Sequence, residues 1–271
     1  MESPMKSRLI RLFALLPLVA APCLPAVAAD SDWLVSDGGR MRIAALSQGK
    51  EGHVQALLDI EPAPGWKTYW RDPGDAGMPP EIDISASQNL KVRSLSFPVP
   101  EFTDDADGRF IGYHGPVRIL IDFEQPVAGE PSNFDGRLLI GLCKDICLPV
   151  QGEFRLPVTP RTEAEQQSLA DAMALMPTEP AADFSVTASK PSADRTSVTF
   201  DIALPTEAKP DYALVPEPGL RFSHKIAVEQ NGRELKLSVP VKKWPKDGKP
   251  AALTLLVKSG ERAIETRIAL P

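Results

Sequence analysis

The sequence predicts an all-β protein made of two immunoglobulin-like β-sandwich domains joined by a short helix and linker. Three observations lead there. Proline accounts for 28 of 271 residues, about twice ordinary usage, and each internal proline costs a helix roughly 3 kcal/mol, which excludes a helical bundle. Short apolar runs broken by Gly, Pro, Asp and Asn recur at the spacing of antiparallel strands and their turns. Only one stretch has the grammar of a helix. A hydrophobic content of 43% with 24% charged residues excludes wholesale disorder, and the length suits one large β domain or two of about 100–130 residues.

Residues 1–29 read as a removable export signal. Lys6, Arg8 and Arg11 precede an apolar run from Leu12 to Ala21, and the small residues Ala26-Val27-Ala28-Ala29 follow. That order is secretory, and its apolar core is too short to cross a bilayer. Pro22 directly before Cys23 argues against a lipid-anchored variant.

The first domain is expected over residues 30–159. Its candidate strands are Met41–Leu46, His53–Ile60, Trp66–Trp70, Glu81–Ser85, Val92–Phe97, Val117–Phe123, Gly136–Leu142 and Gly152–Val158. The acidic run Asp104-Asp105-Ala106-Asp107-Gly108 is expected to open a mobile loop. Residues 160–180 form the helix and linker. Thr162 and Glu165 have capping-box spacing, helix formers continue to Met176, and Pro177 ends them; Pro177 to Pro180 then reads as linker. A second sandwich is expected over residues 181–271. There Val198, Phe200, Ile202 and Leu204 alternate with smaller or polar residues, Asn231-Gly232 suits a type I′ hairpin turn, and Ser259-Gly260 suits a second hairpin.

Without residues 1–29, which carry three basic residues and one acidic residue, the formal charge is −8. That balance argues against nucleic acid or anionic membrane as the main partner. No later run reaches the roughly 18 apolar residues of a membrane span. The same removal leaves two cysteines, Cys143 and Cys147, in a compartment where disulfides persist.

Their spacing sets a geometric demand. A disulfide needs Cα atoms about 4.4–6.8 Å apart, whereas residues four apart on a straight strand lie roughly 13 Å from each other. A bridge therefore favours a bend, with Lys144-Asp145-Ile146 as a tight loop between two strands. Three uses remain open. A structural staple is the common fate of paired cysteines in exported proteins, yet a five-residue loop gives only about 2 kcal/mol. Short, turn-constrained disulfides also exchange with thiols. A copper(I) site would need His114 or Met78 to complete the sulfur pair. Nothing else forms a catalytic set: there is no Gly-rich phosphate loop, no G-x-S-x-G and no His-x-x-x-His. His53 and His224 read as ordinary sheet residues.

The segment from Gly65 to Pro79, GWKTYWRDPGDAGMP, is the most distinctive in the chain. It reads either as scaffold, with Trp66, Tyr69 and Trp70 in the core and Pro73-Gly74 as a turn, or as a lining for the cysteines. With Phe110-Ile111-Gly112-Tyr113 and the segment around Cys143 and Cys147, it resembles the N-terminal periplasmic domain of the thiol:disulfide interchange protein DsbD, in the DsbD-like and ScsB-like branch. The resemblance covers residues 33–158 by motif and 180–271 by architecture alone. Three residues separate the cysteines, where the best-known members have five.

The resemblance implies a periplasmic dithiol carrier that needs no cofactor. Cys143 and Cys147 would be its exchanging pair, with Phe110, Tyr113, Tyr69 and Trp70 as an aromatic cap or site lining. It would be reduced by a membrane-embedded donor on another chain and would reduce oxidised periplasmic thioredoxin-fold proteins. The competing functions are a non-catalytic immunoglobulin-like adaptor with an inert bridge, and a copper(I)-binding protein. The cysteine-free second domain suits docking or spacing.

Overall fold

The computed structural model describes residues 30–49, 52–74, 77–105, 108–223, 225–246 and 251–270. The export signal expected in residues 1–29 and the position of His224 lie outside the described residues.

In chain order the strands of the N-terminal half are β1 (Leu34–Ser36), β2 (Gly39–Gln48), β3 (His53–Pro62), β4 (Thr68–Gly74), β5 (Glu81–Asp83), β6 (Lys91–Ser96), β7 (Glu101–Asp105), β8 (Gly108–Tyr113), β9 (Val117–Glu124), β10 (Asn133–Cys143), β11 (Cys147–Pro157) and β12 (Thr159–Pro160). Helix α1 (Glu163–Met173) follows. Then come β13 (Ser185–Pro191), β14 (Ser197–Ala203), β15 (Asp211–Pro216), β16 (Arg221–Phe222), β17 (Ala227–Asn231), β18 (Glu234–Lys243), β19 (Ala251–Ser259) and β20 (Arg262–Leu270). The all-β class and its two sandwiches are as the sequence predicts.

In the N-terminal half, a sheet ordered β1-β2-β3-β9-β6 faces a smaller sheet ordered β11-β10-β5, and a third sheet, β4-β8-β7, lies alongside. Strand periodicity decides what each face meets. In β9, Ile119, Ile121 and Phe123 turn inward and meet Phe134, Leu138, Ile140 and Leu142 of β10 in one buried core. Leu120 turns the other way, and with Leu57, Ala44 and Ala45 it receives Leu169 and Ala172 of α1. The helix therefore covers the outer face of the first sheet. Its start is fixed by the expected capping box: Thr162 Oγ1 accepts from Glu165 N at 3.3 Å, and Glu165 Oε2 accepts from Thr162 N at 2.7 Å.

The C-terminal half repeats the two-sheet plan. A sheet ordered β13-β14-β18-β16, with β17 also on β18, faces the sheet β15-β19-β20. The alternating Val198, Phe200, Ile202 and Leu204 are all buried in its core with Leu235, Leu237 and Val239.

Three local expectations are corrected. The first concerns the acidic run at 104–108, of which Ala106 and Asp107 lie outside the described residues. Asp104 and Asp105 lie in β7, opposite Arg109 and Gly108 of β8, because Phe102 and Ile111, also opposite each other, pack on the core and draw the segment into a ladder. Pro73-Gly74 is not a turn but the end of β4, where Gly74 (φ +91°) faces Phe110 after a bulge. A Cβ at Gly74 would sit 2.1 Å from the Arg109 carbonyl oxygen. Within the expected linker Pro177 to Pro180, Thr178 N donates to Ala263 O and Glu265 N donates to Thr178 O. The hairpins at Gly232 and Gly260 both form, but their central pairs are Gly232-Arg233 and Gly260-Glu261. Positive φ occurs only at the first of each pair, +58° and +60°, the pattern of a type II′ rather than a type I′ turn.

Leu169 is 2% exposed. Leu169→Ala should lower unfolding stability by about 2–4 kcal/mol in urea titrations, while the exposed Gln167→Ala on the same helix should stay within about 0.5 kcal/mol.

Candidate functional site

Cys143 ends β10 and Cys147 opens β11, directly opposite each other in the register. They are joined by a disulfide with a Cα–Cα distance of 4.1 Å. Lys144-Asp145-Ile146 forms the loop, closed by Lys144 N donating to Ile146 O at 3.2 Å. This is the bend that the four-residue spacing demands.

The two cysteines occupy unlike environments. Cys143 N donates to Lys67 O at 2.9 Å, and Lys67 N donates to Cys143 O at 2.8 Å. The buried Thr68 Oγ1 adds a bond to Gly141 O at 2.9 Å. The start of β4 is thus laced to the end of β10. Because both polar backbone groups of Cys143 point toward Lys67, the pair Cys143/Cys147 makes no ladder hydrogen bonds. Antiparallel alternation then turns the backbone groups of Cys147 and Pro149 toward the outer edge of β11, which pairs with β10 alone among the described residues. Cys143 is 2% exposed, whereas Cys147 is open to solvent beside Ile146, which is 67% exposed.

Aromatic rings cover the buried sulfur. Tyr69, Phe110 and Cys143 form a cluster of their own, with Tyr69 edge-on to Phe110 at 5.6 Å between centroids. The Tyr69 hydroxyl lies 3.3 Å from Cys147 Sγ, so this one side chain touches both halves of the site. Lys67 Nζ sits 4.4 Å from the centre of the Phe110 ring, a cation–π contact on the cover.

Of the four aromatics singled out in the sequence, the structure brings Tyr69 and Phe110 to the cysteines. Trp70 and Tyr113 lie instead in the main core. Trp70 is packed edge-on to Phe97, and the Tyr113 hydroxyl donates to Pro98 O at 2.8 Å. One strand cannot aim adjacent residues at the same side, so Tyr69 and Trp70 had to part. The His114 ring lies tilted against Phe110, 5.0 Å between centroids, and pairs with Glu101 at 2.8 Å. Among the described residues no group of three or more His, Cys, Asp or Glu is suited to a metal ion. His53 opens β3, with Arg93 and Asp122 beside it. The anchoring roles of Lys67 and Thr68 are what sequence reasoning missed; their only signal was membership of the distinctive segment.

The N-terminal half is thus an all-β sandwich carrying a hairpin disulfide between a buried and an exposed cysteine. Residues 40–159 match the family described as thiol:disulfide interchange protein DsbD, N-terminal. The N-terminal periplasmic domain of ScsB from Proteus mirabilis has the same fold over both halves: its TM-score is 0.68 at 23% identity, with 90% of this chain and 98% of that chain covered. A marsupial T cell receptor chain aligns at a TM-score of 0.21 and 13% identity, over 87% of this chain and 98% of that one, too low to indicate a shared fold. No curated protein matches the chain.

The chain has three tyrosines, Tyr69, Tyr113 and Tyr212, and burial raises the pKa of each, Tyr113 well above 10. The folded state therefore keeps protons that the unfolded chain releases near pH 10. The corresponding stability is intact below that pH and declines as pH rises above it. Ultraviolet titration of the native protein should show no ordinary tyrosinate step near pH 10, and alkaline unfolding should release all three together.

Proposed function

We propose that the chain is a periplasmic carrier of reducing equivalents, passing them through Cys147 and Cys143 to oxidised thioredoxin-fold proteins. The observation that carries this reading is the unequal exposure of the two cysteines. An inert staple gains nothing from presenting one sulfur at an open sheet edge, whereas exchange requires an accessible atom and a protected one.

In the reduced protein the Cys147 thiolate attacks a partner's disulfide. A bond forms between Cys147 Sγ and one partner sulfur, the partner's S–S bond breaks, and its second sulfur leaves as thiolate. Cys143, held against Lys67, then attacks Cys147 Sγ and expels the partner's remaining sulfur. Two electrons pass to the partner, and the Cys143–Cys147 bond is restored. The Tyr69 hydroxyl, kept protonated by burial, is available to donate to the Cys147 thiolate. A membrane-embedded donor on another chain returns the electrons by the reverse sequence. Among the described residues no helix is long and apolar enough to cross a membrane. Export by residues 1–29, a redox domain over 30–159, a helix and linker over 160–180 and a second sandwich over 181–271 complete this reading. It is supported by the family of residues 40–159 and by the two-sandwich likeness to a periplasmic domain.

Exposure also sets the order of attack. Reduced Cys143→Ser, mixed with an oxidised thioredoxin-fold protein, should accumulate a mixed disulfide through Cys147 on non-reducing gels. Cys147→Ser should yield about tenfold less, because its remaining thiol is enclosed. Equal yields, or no adduct from either variant, would overturn the reading.

A further inference from the structure

We infer that the C-terminal half braces the aromatic cover of the disulfide, with Arg71, Arg109 and Glu265 as the positioning residues. The sheet β4-β8-β7 is a plate with two different faces. Along β8, Phe110 turns toward Cys143, while the alternate residues Ile111 and Tyr113 enter the main core. That core includes Ala213 of β15, Leu256 of β19 and Ala263 of β20, so the second half sits directly behind the cover.

Two polar ties hold the plate to this backing. Arg71 Nη2 in β4 reaches Glu265 Oε1 in β20 at 3.1 Å, its guanidinium resting on the rings of Trp70 and Phe97 at 5.0 and 4.9 Å. Arg71 is two residues from Tyr69 in the same strand. Arg109, the residue before Phe110, donates through Nη2 to the Tyr212 carbonyl oxygen and lies over the Tyr212 ring at 5.2 Å. Thr178 fastens the connecting segment to the same strand as Glu265.

Arg71 Nε and Glu265 Oε2 have no hydrogen-bond partner among the described residues, so this tie rests on the single contact between Arg71 Nη2 and Glu265 Oε1. Beside the Arg109 tie lies a cleft of about 740 Å³, between Phe102, Arg109 and Ile111 on one side and Tyr212 and Phe222 on the other. The hairpin β7–β8 is therefore held to the second half by a shared core and these two ties with an open cleft beside them, and the second half controls how closely Phe110 covers Cys143.

The consequence for exchange rests on the reading of the cysteine pair given above, but the brace is testable without a protein partner. Reduction of the full oxidised chain by dithiothreitol, quenched by alkylation, reports access to the bridge. Glu265→Gln and Arg109→Met should each speed reduction about 3–10-fold and increase hydrogen exchange in β8. Arg71→Met/Glu265→Gln should be no faster than Glu265→Gln alone, since both cut one tie. Leu237→Ala, which lowers stability from within the C-terminal core and touches neither tie, should stay within about twofold of the parent. Parent-like rates in both brace variants, or equal acceleration by Leu237→Ala, would overturn the inference. Faster reduction of brace variants in a chain that forms no adduct with oxidised thioredoxin-fold proteins would keep the brace and remove the relay.

Discussion

Two backbone hydrogen bonds between Cys143 and Lys67 organise the site. They spend both polar backbone groups of Cys143 on Lys67, the residue just before β4, which makes one cysteine a fixed part of the sheet interior. Its partner across the hairpin is left on the outermost strand. The unequal exposure of the sulfurs, their position in a ladder pair without hydrogen bonds, and the closeness of the Tyr69 hydroxyl to Cys147 all follow from that single attachment. A cysteine hairpin without it would carry two similar sulfurs at a fraying end.

Lys67 and Tyr69 lie two residues apart, so the strand that anchors the cysteine also delivers its aromatic neighbour. Further along, Arg71 carries the same strand into contact with the C-terminal half. A short stretch of β4 thus meets the disulfide, the main core and the second sandwich in succession. That density accounts for the unusual run of large side chains around Trp66, Tyr69 and Trp70, which a strand exposed on one face would not need.

The strand grammar was legible because it depends on local alternation and on turn residues. β2, β3, β9 and β10 are close to their expected spans, β11 begins five residues before its expected start at Gly152, and the capping box of α1 is visible in the order of its letters. The hairpin bend at the cysteines followed from the length of a disulfide. What could not be read depended on long-range packing. Nothing local shows that Phe102 and Ile111 would pull an acidic run into a ladder, or that Thr178 would find a partner 85 residues later. The same limit applies to the aromatics: four candidates stood near the cysteines in motif, but facing direction is settled only when strands pair. Turn type was missed more narrowly, since the glycine that takes positive φ was identified while the register around it was one residue off.

Pro149 and Pro157 occupy β11 at positions whose missing N–H would have faced outward, so neither leaves a gap in the ladder with β10. Their cost falls elsewhere. An extended chain laid against that margin meets absent donors at both places, and identical molecules cannot knit together there into a continuous sheet. The margin that carries Cys147 therefore disfavours backbone pairing with a second copy, and discrimination between visitors is left to side chains rather than to backbone.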